Sequence, residues 1–135
     1  MTSPREKVTT RTLKAMDNPY VNCIAHPTGR LIGQREAMDL DIAAVIEHAA
    51  QTHTTLEINA NPMRLDLKDT HCRMAIEAGV MLVIGTDAHS TDQLGLMGFG
   101  VATAGRGWVT KNNVLNTFSP AKIKSFVNRK RRMPL

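Results

Sequence analysis

The chain has 135 residues, 42% of them hydrophobic, which is one domain's length with enough apolar content to bury a core and excludes intrinsic disorder. A net charge of +5 and a pI of about 9.6 favour an anionic partner, but "RKRR" at 129–132 holds four of the positive charges and the body alone is nearly neutral. The opening "MTSPREKVTT" lacks the apolar stretch of a signal peptide and no later run has the length of a bilayer span, so a cytoplasmic protein without membrane contact is expected.

In chain order, "SPREKVTTRTLKAM" predicts a helix over 4–16, with Ser3 as N-cap, Pro4 at the first helical position and Glu6 closing a capping box. "VNCIA" at 21–25 predicts a short strand. A helix over 41–52 carries Ile42, Val45, Ile46 and Ala49 at helical spacing, and "TTLEIN" at 54–59 is the next strand. The helix over 68–78 buries Cys72, Ala75 and Ile76 and stops at Gly79. "VMLVIG" at 80–85 predicts a parallel strand covered on both faces. "STDQLGLM" starts another helix, "GFGVATAGRG" has no clear assignment, and "SPAKIKSFVNRK" repeats the Ser-Pro helix start. Cys23 and Cys72 form no metal or redox spacing and read as small core residues of a reduced protein. No linker divides the chain: residues 1–128 read as one unit and 129–135 as a basic tail, either solvated or in contact with nucleic acid.

Strands alternating with helices imply right-handed βαβ units and an α/β fold with parallel strands. The helix-to-strand connections are short, whereas the strand-to-helix loops "HPTGRLIGQREAMD" and "ANPMRLDL" are long and polar. Chemistry in such folds gathers at the carboxyl ends of the strands, where these loops lie.

"LVIGTDAHS" at 82–90 places Asp87 and His89 at such an end. In extended backbone, residues two apart point to one side, so a carboxylate and an imidazole would converge there and suit Zn²⁺ or Mn²⁺. His26 ends "VNCIA" in the equivalent place and is a third candidate ligand. The plainer alternative has Asp87 capping the next helix and His89 bonding within its loop. Glu57 and Asn59 share one side of their strand, and Asn59, Asn61 and Arg64 either line the same mouth or hydrogen-bond its loops into place. Arg30 either grips a phosphate bidentately or braces its own turn through a backbone carbonyl. His48, His53 and His71 read as surface or helix-packing residues, and Trp108 as a packing anchor.

Taken in order, "IAHPTGRLIGQRE", "LEINANPMRLDL", "VIGTDAHS" and "GRGWVTKNNVLNT" resemble the C-terminal part of the PHP (polymerase and histidinol phosphatase) domain of bacterial family X DNA polymerases. The resemblance spans essentially the whole chain, with Gly85 standing where the family form has Asn. It implies a distorted β/α barrel with a three-metal site at the strand ends and 3′ to 5′ exonuclease activity on DNA in repair. By motif, His26, Asp87 and His89 match metal ligands, while Arg30 and Arg64 are candidate phosphate contacts in metal-assisted hydrolysis.

The family's H-x-H motif and its earlier His, Asp and Glu ligands have no counterpart in the 135 residues. The expectation is therefore a truncated PHP-type barrel with an incomplete Mn²⁺ or Zn²⁺ site and little or no activity alone. Its expected partners are DNA in the parent protein and either an N-terminal PHP half or a second copy. A non-catalytic nucleic-acid-binding module and a structural half-domain awaiting missing strands remain as alternatives.

Overall fold

A computed structural model describes residues 4–133 and shows a parallel sheet layered against helices. The elements run α1 (Arg5–Asp17), β1 (Cys23–Ile24), α2 (Ile42–Thr52), β2 (Thr55–Asn59), α3 (Asp69–Glu77) and β3 (Leu82–Gly85). A 3₁₀ segment (Thr91–Leu96) then leads into α4 (Met97–Arg106), and two shorter ones (Lys111–Asn113, Leu115–Thr117) precede α5 (Pro120–Arg131). Strand order is β1-β2-β3, all parallel, and the sheet is open.

Local signals explain most boundaries. Asp41 accepts the Ala44 N–H at 3.1 Å and starts α2, and Ser119 accepts the Lys122 N–H at 3.3 Å and starts α5. No side chain caps α1 at Pro4, and Ser3, the cap expected there, lies outside the described residues. The unassigned Gly-rich stretch is α4, in which Gly100 serves packing. A Cβ on Gly100 would lie 2.5 Å from Ile84 Cγ2 and 2.8 Å from the Ala60 Cβ, so its absence lets the helix lie on the strand ends.

Leu56, Ile58, Leu82 and Ile84 are buried against Val45, Ile46 and Ala49 of α2, Cys72 and Ala75 of α3, and Ala104 of α4. The opposite face is thinly covered. Glu57, Val83 and Gly85 are half-buried and Cys23 is exposed, which corrects the expectation of a third strand covered on both faces and of Cys23 as a core residue. An apolar run cannot distinguish a doubly covered strand from one whose second face awaits a partner. Cys72 is buried as expected, and burial pushes its thiol up to about 12.

The basic tail also differs from its reading as a separate solvated run. α5 continues through Arg131, and Lys130, only 4% exposed, reaches back to the Val21 carbonyl and the Thr54 hydroxyl at the amino-terminal end of the sheet. A lysine whose stem packs and whose amine finds buried oxygens can fasten a helix while its neighbours stay in water. The Arg131 guanidinium lies 5.3 Å from the Tyr20 ring centroid.

The outer edge of β3 is closed without a strand. Val114 makes a single parallel bridge to Leu82, and the Asn116 side chain accepts the Ile84 N–H at 2.9 Å and donates to the Ile84 carbonyl at 2.8 Å. One side-chain amide thus substitutes for a neighbouring peptide. Asn116→Ala is expected to cost about 1–3 kcal/mol in urea denaturation and to speed exchange of the Ile84 amide. Unchanged Ile84 protection would show that the edge is held otherwise.

Candidate active site at the strand carboxyl ends

Glu57 points to the thinly covered face at the carboxyl end of the central strand. Its Oε2 accepts the His26 N–H at 2.6 Å and the Asn59 side-chain N–H at 3.3 Å. Its Oε1 lies where Gly85 leaves room, since a Cβ on Gly85 would sit 2.4 Å from it. One carboxylate therefore touches the ends of all three strands.

The loops above are clasped together. The Arg30 guanidinium donates to the Arg64 carbonyl at 2.6 Å and to the Leu65 carbonyl, and Arg64 Nη1 returns a longer contact of 3.4 Å to the Arg30 carbonyl. Beneath this clasp Asp66, 1% exposed, accepts the N–H groups of Thr28 at 3.0 Å and Gly29 at 2.9 Å. Asn59, fully buried, accepts the Asn61 N–H at 3.1 Å, and Asn61 in turn accepts the Met63 N–H at 3.0 Å. Asn59 and Asn61 thus follow the loop-bracing alternative. Arg30 does so too, although the carbonyls it holds belong to the neighbouring loop.

His26 (φ 29°), Leu65 (φ 43°) and Asp87 (φ 53°) all have left-handed backbone, which costs a non-glycine residue about 1–2 kcal/mol. Asp87 is consequently not extended, and the premise that Asp87 and His89 continue the strand alternation is corrected. Asp87 faces Arg64 instead, with Oδ2 3.3 Å from Nε. His89 Nδ1 donates to the Asp87 carbonyl at 2.7 Å, which leaves Nε2 as the lone-pair nitrogen, and its backbone N–H is held by Gln93 at 2.7 Å. Among the described residues no side chain caps the 3₁₀ segment that follows, so Asp87 is not a helix cap.

Among the described residues no three His, Cys, Asp or Glu side chains are close enough to share one metal ion. The spacing explains this for His26: β1 and β3 are separated by β2, hence by two strand spacings of roughly 5 Å each. Asp87 and His89 fit the donor chemistry of a divalent cation, His89 with the oriented second nitrogen typical of metal-ligating histidines. They do not form a closed set with His26.

Elsewhere, His48 bonds Asp17 at 2.7 Å and His53 ends α2 in left-handed backbone. Trp108 is 67% exposed under the Arg73 guanidinium, 3.8 Å from its centroid, and is not the packing anchor expected. Sequence reasoning passed over Asp66. An acid between two leucines in "RLDL" was its only signal, because such an acid must either face water or find buried donors.

Two groups of known proteins are similar to this sequence. Over 126 residues the chain is 47% identical to the DNA polymerase/3'-5' exonuclease PolX of Bacillus subtilis (strain 168), covering 93% of this chain and 22% of that protein. It is 29% identical over 133 residues to a probable phosphatase of Thermoanaerobacter sp. (strain X514), covering 94% of this chain and 51% of the relative. A probable phosphatase of Shewanella sediminis (strain HAW-EB3) is 27% identical over 134 residues, with 52% of that protein covered. No family model matches the chain. These similarities support kinship with the PHP-type phosphoesterases. Within that class it corresponds to the C-terminal, PHP-containing region of the polymerase/exonuclease, and it spans about a fifth of that protein's length and about half that of the phosphatases.

Two outcomes test this geometry. Gly85→Ala forces the flexible Glu57 carboxylate aside and frees the His26 N–H, so it should move the His26 amide resonance upfield and cost about 1–3 kcal/mol, as should Glu57→Ala. An unmoved resonance in both would dissolve the three-strand tie. Burial raises the Asp66 pKa above its ordinary 3.8, against the N–H groups that lower it. Its contribution to stability is therefore full below the unfolded pKa and is lost as pH rises through the folded one. Wild type should lose stability relative to Asp66→Asn as pH rises from the ordinary 3.8 through the raised folded pKa. A gap widening in favour of wild type would mean that the N–H groups outweigh burial.

Proposed function

We propose that the chain is the C-terminal part of a PHP-type β/α barrel and contributes to metal-dependent phosphodiester hydrolysis on DNA, of the 3′ to 5′ exonuclease kind. The observation that carries this reading is the left-handed backbone at His26 and Asp87, two motif residues at the ends of different strands, because such strain persists where a site requires it. The open sheet with a thinly covered face, and relatives in which the matching region is only part of the length, support a barrel completed by other strands.

In this proposal Asp87 and His89 are donors to Mn²⁺ or Zn²⁺ at one side of the mouth and His26 is a donor at the other, with the remaining donors on other strands. The bound ions would supply an activated water and electrostatic stabilisation of the phosphate. The chain's own residues position and steer. Arg64, beside Asp87, keeps guanidinium donors at the mouth and is the phosphate contact. Arg30 donates to two carbonyls and acts chiefly by holding the Arg64 loop. The binding-module alternative is weakened because Lys130 engages Val21 and Thr54.

The chain alone should bind Mn²⁺ weakly and hydrolyse single-stranded DNA barely above background. Mixed with an H-x-H-containing N-terminal PHP half from a close relative, it should form a complex by size exclusion with Mn²⁺-dependent exonuclease activity. Asp87→Ala should lower that activity by more than about 100-fold, beyond the ~10–100-fold typical of outer-shell partners. Robust turnover by the chain alone, or a complex indifferent to Asp87→Ala, would sink the proposal.

A further inference from the structure

Between the loop after β1 and the first turn of α3 lies a cavity of about 80 Å³, lined by Thr28, Arg30, Ala37, Lys68 and His71. Its lining includes no acidic side chain and none of His26, Asp87 and His89. The nearby acids are engaged elsewhere: Asp66 accepts Thr28 and Gly29 N–H groups, and Asp69 pairs with Arg106 at 3.0 Å. Among the described residues neither Arg30 nor Lys68 has a carboxylate at ion-pair distance. His71 adds an independent sign, since its Nδ1 is buried with no hydrogen-bond partner among the described residues. A buried polar nitrogen without a partner calls for a water or an ion.

We propose that this cavity is a phosphoryl-binding subsite, taking one tetrahedral phosphate group between the Arg30 and Lys68 charges with the His71 Nδ1–H as a directional donor. The volume holds a few waters or one such oxyanion and is too small for a nucleoside, so any ester substituent must project outward. Two positive charges lining a void gain more from a phosphate anion than from water, and Arg30 still has guanidinium N–H groups beyond those given to the Arg64 and Leu65 carbonyls. His71 is suited to report occupancy. Burial, then the charges of Lys68 and Arg30, hold its pKa below the ordinary value, with Asp69 opposing them, and a bound anion reverses the sign of that local field. Free phosphate and the phosphodiester backbone of DNA share the required chemistry. The subsite goes beyond the hydrolytic reading and stands without it.

The test titrates inorganic phosphate into the full chain and follows the imidazole resonances of His71 by NMR. A saturable shift with a raised His71 pKa is expected. Lys68→Gln should weaken binding roughly tenfold, the loss of one charge-assisted contact, while the paired Asp87→Ala and His89→Ala substitutions leave it unchanged. A short oligothymidylate without terminal phosphates identifies the source: if it competes, the ligand is a backbone phosphodiester, and if it does not, free phosphate. Both outcomes retain the site. His71 resonances unmoved at high phosphate, or binding that survives Lys68→Gln and vanishes with the Asp87 and His89 substitutions, overturn it.

Discussion

The Glu57 carboxylate sets the positions on which the rest of the mouth depends. Three parallel strands joined only by ladder bonds could each end at a different height and angle. Glu57 removes that freedom by accepting the His26 N–H while resting against Gly85 on the other neighbour. The short charge-assisted bond is worth roughly 1.5–3 kcal/mol, comparable to the cost of holding His26 in left-handed backbone. Gly85 thus gives the carboxylate room on one side, and the His26 N–H gives it a donor on the other.

A second constraint acts through the loops. Arg30 and Arg64 reach across to each other's backbone, and Asp66 ties the turn after β1 to the loop after β2. A guanidinium spent on carbonyls has fewer N–H groups for a substrate. The two arginines, equivalent by sequence, therefore separate by role. Arg30 is mainly architectural at the mouth, and Arg64, whose Nε faces Asp87, is left nearer the chemistry.

Alternation of helices and strands was legible because each helix shows an apolar stripe and each strand a short apolar run, and all six such expectations fall on α1, β1, α2, β2, α3 and β3. Asp87, His89 and His26 were legible as strand-end residues for the same reason. The left-handed backbone of Asp87 and His26 was not, since it depends on contacts distant in sequence, such as that of His26 with Glu57, 31 residues away. Lys130 and Asn116 were hidden in the same way. In sequence the first belongs to a run of charges, and only folding brings it to Val21, 109 residues away, just as Asn116 meets Ile84 only across 32 residues. Trp108 misled because size predicts burial on average, whereas a tryptophan can also spread on an arginine at the surface.

The two edges of the sheet are not equivalent, which would give the completion of the proposed barrel a direction. A strand approaching β3 from outside would have to displace Val114 from Leu82 and both Asn116 bonds to Ile84. The far side of β1 carries no strand among the described residues, and only the Lys130 contact at Val21 lies near its start. Additional strands therefore meet the smaller barrier at β1 and would extend the sheet from there, curling over the face that exposes Cys23 and half-exposes Glu57 and Val83. Such growth would bring new side chains toward His26 first and toward Asp87 and His89 only as the sheet closes. Under the proposed metal site, further donors beside His26 would lie on a strand next to β1, and those for Asp87 and His89 on strands facing them across the proposed barrel.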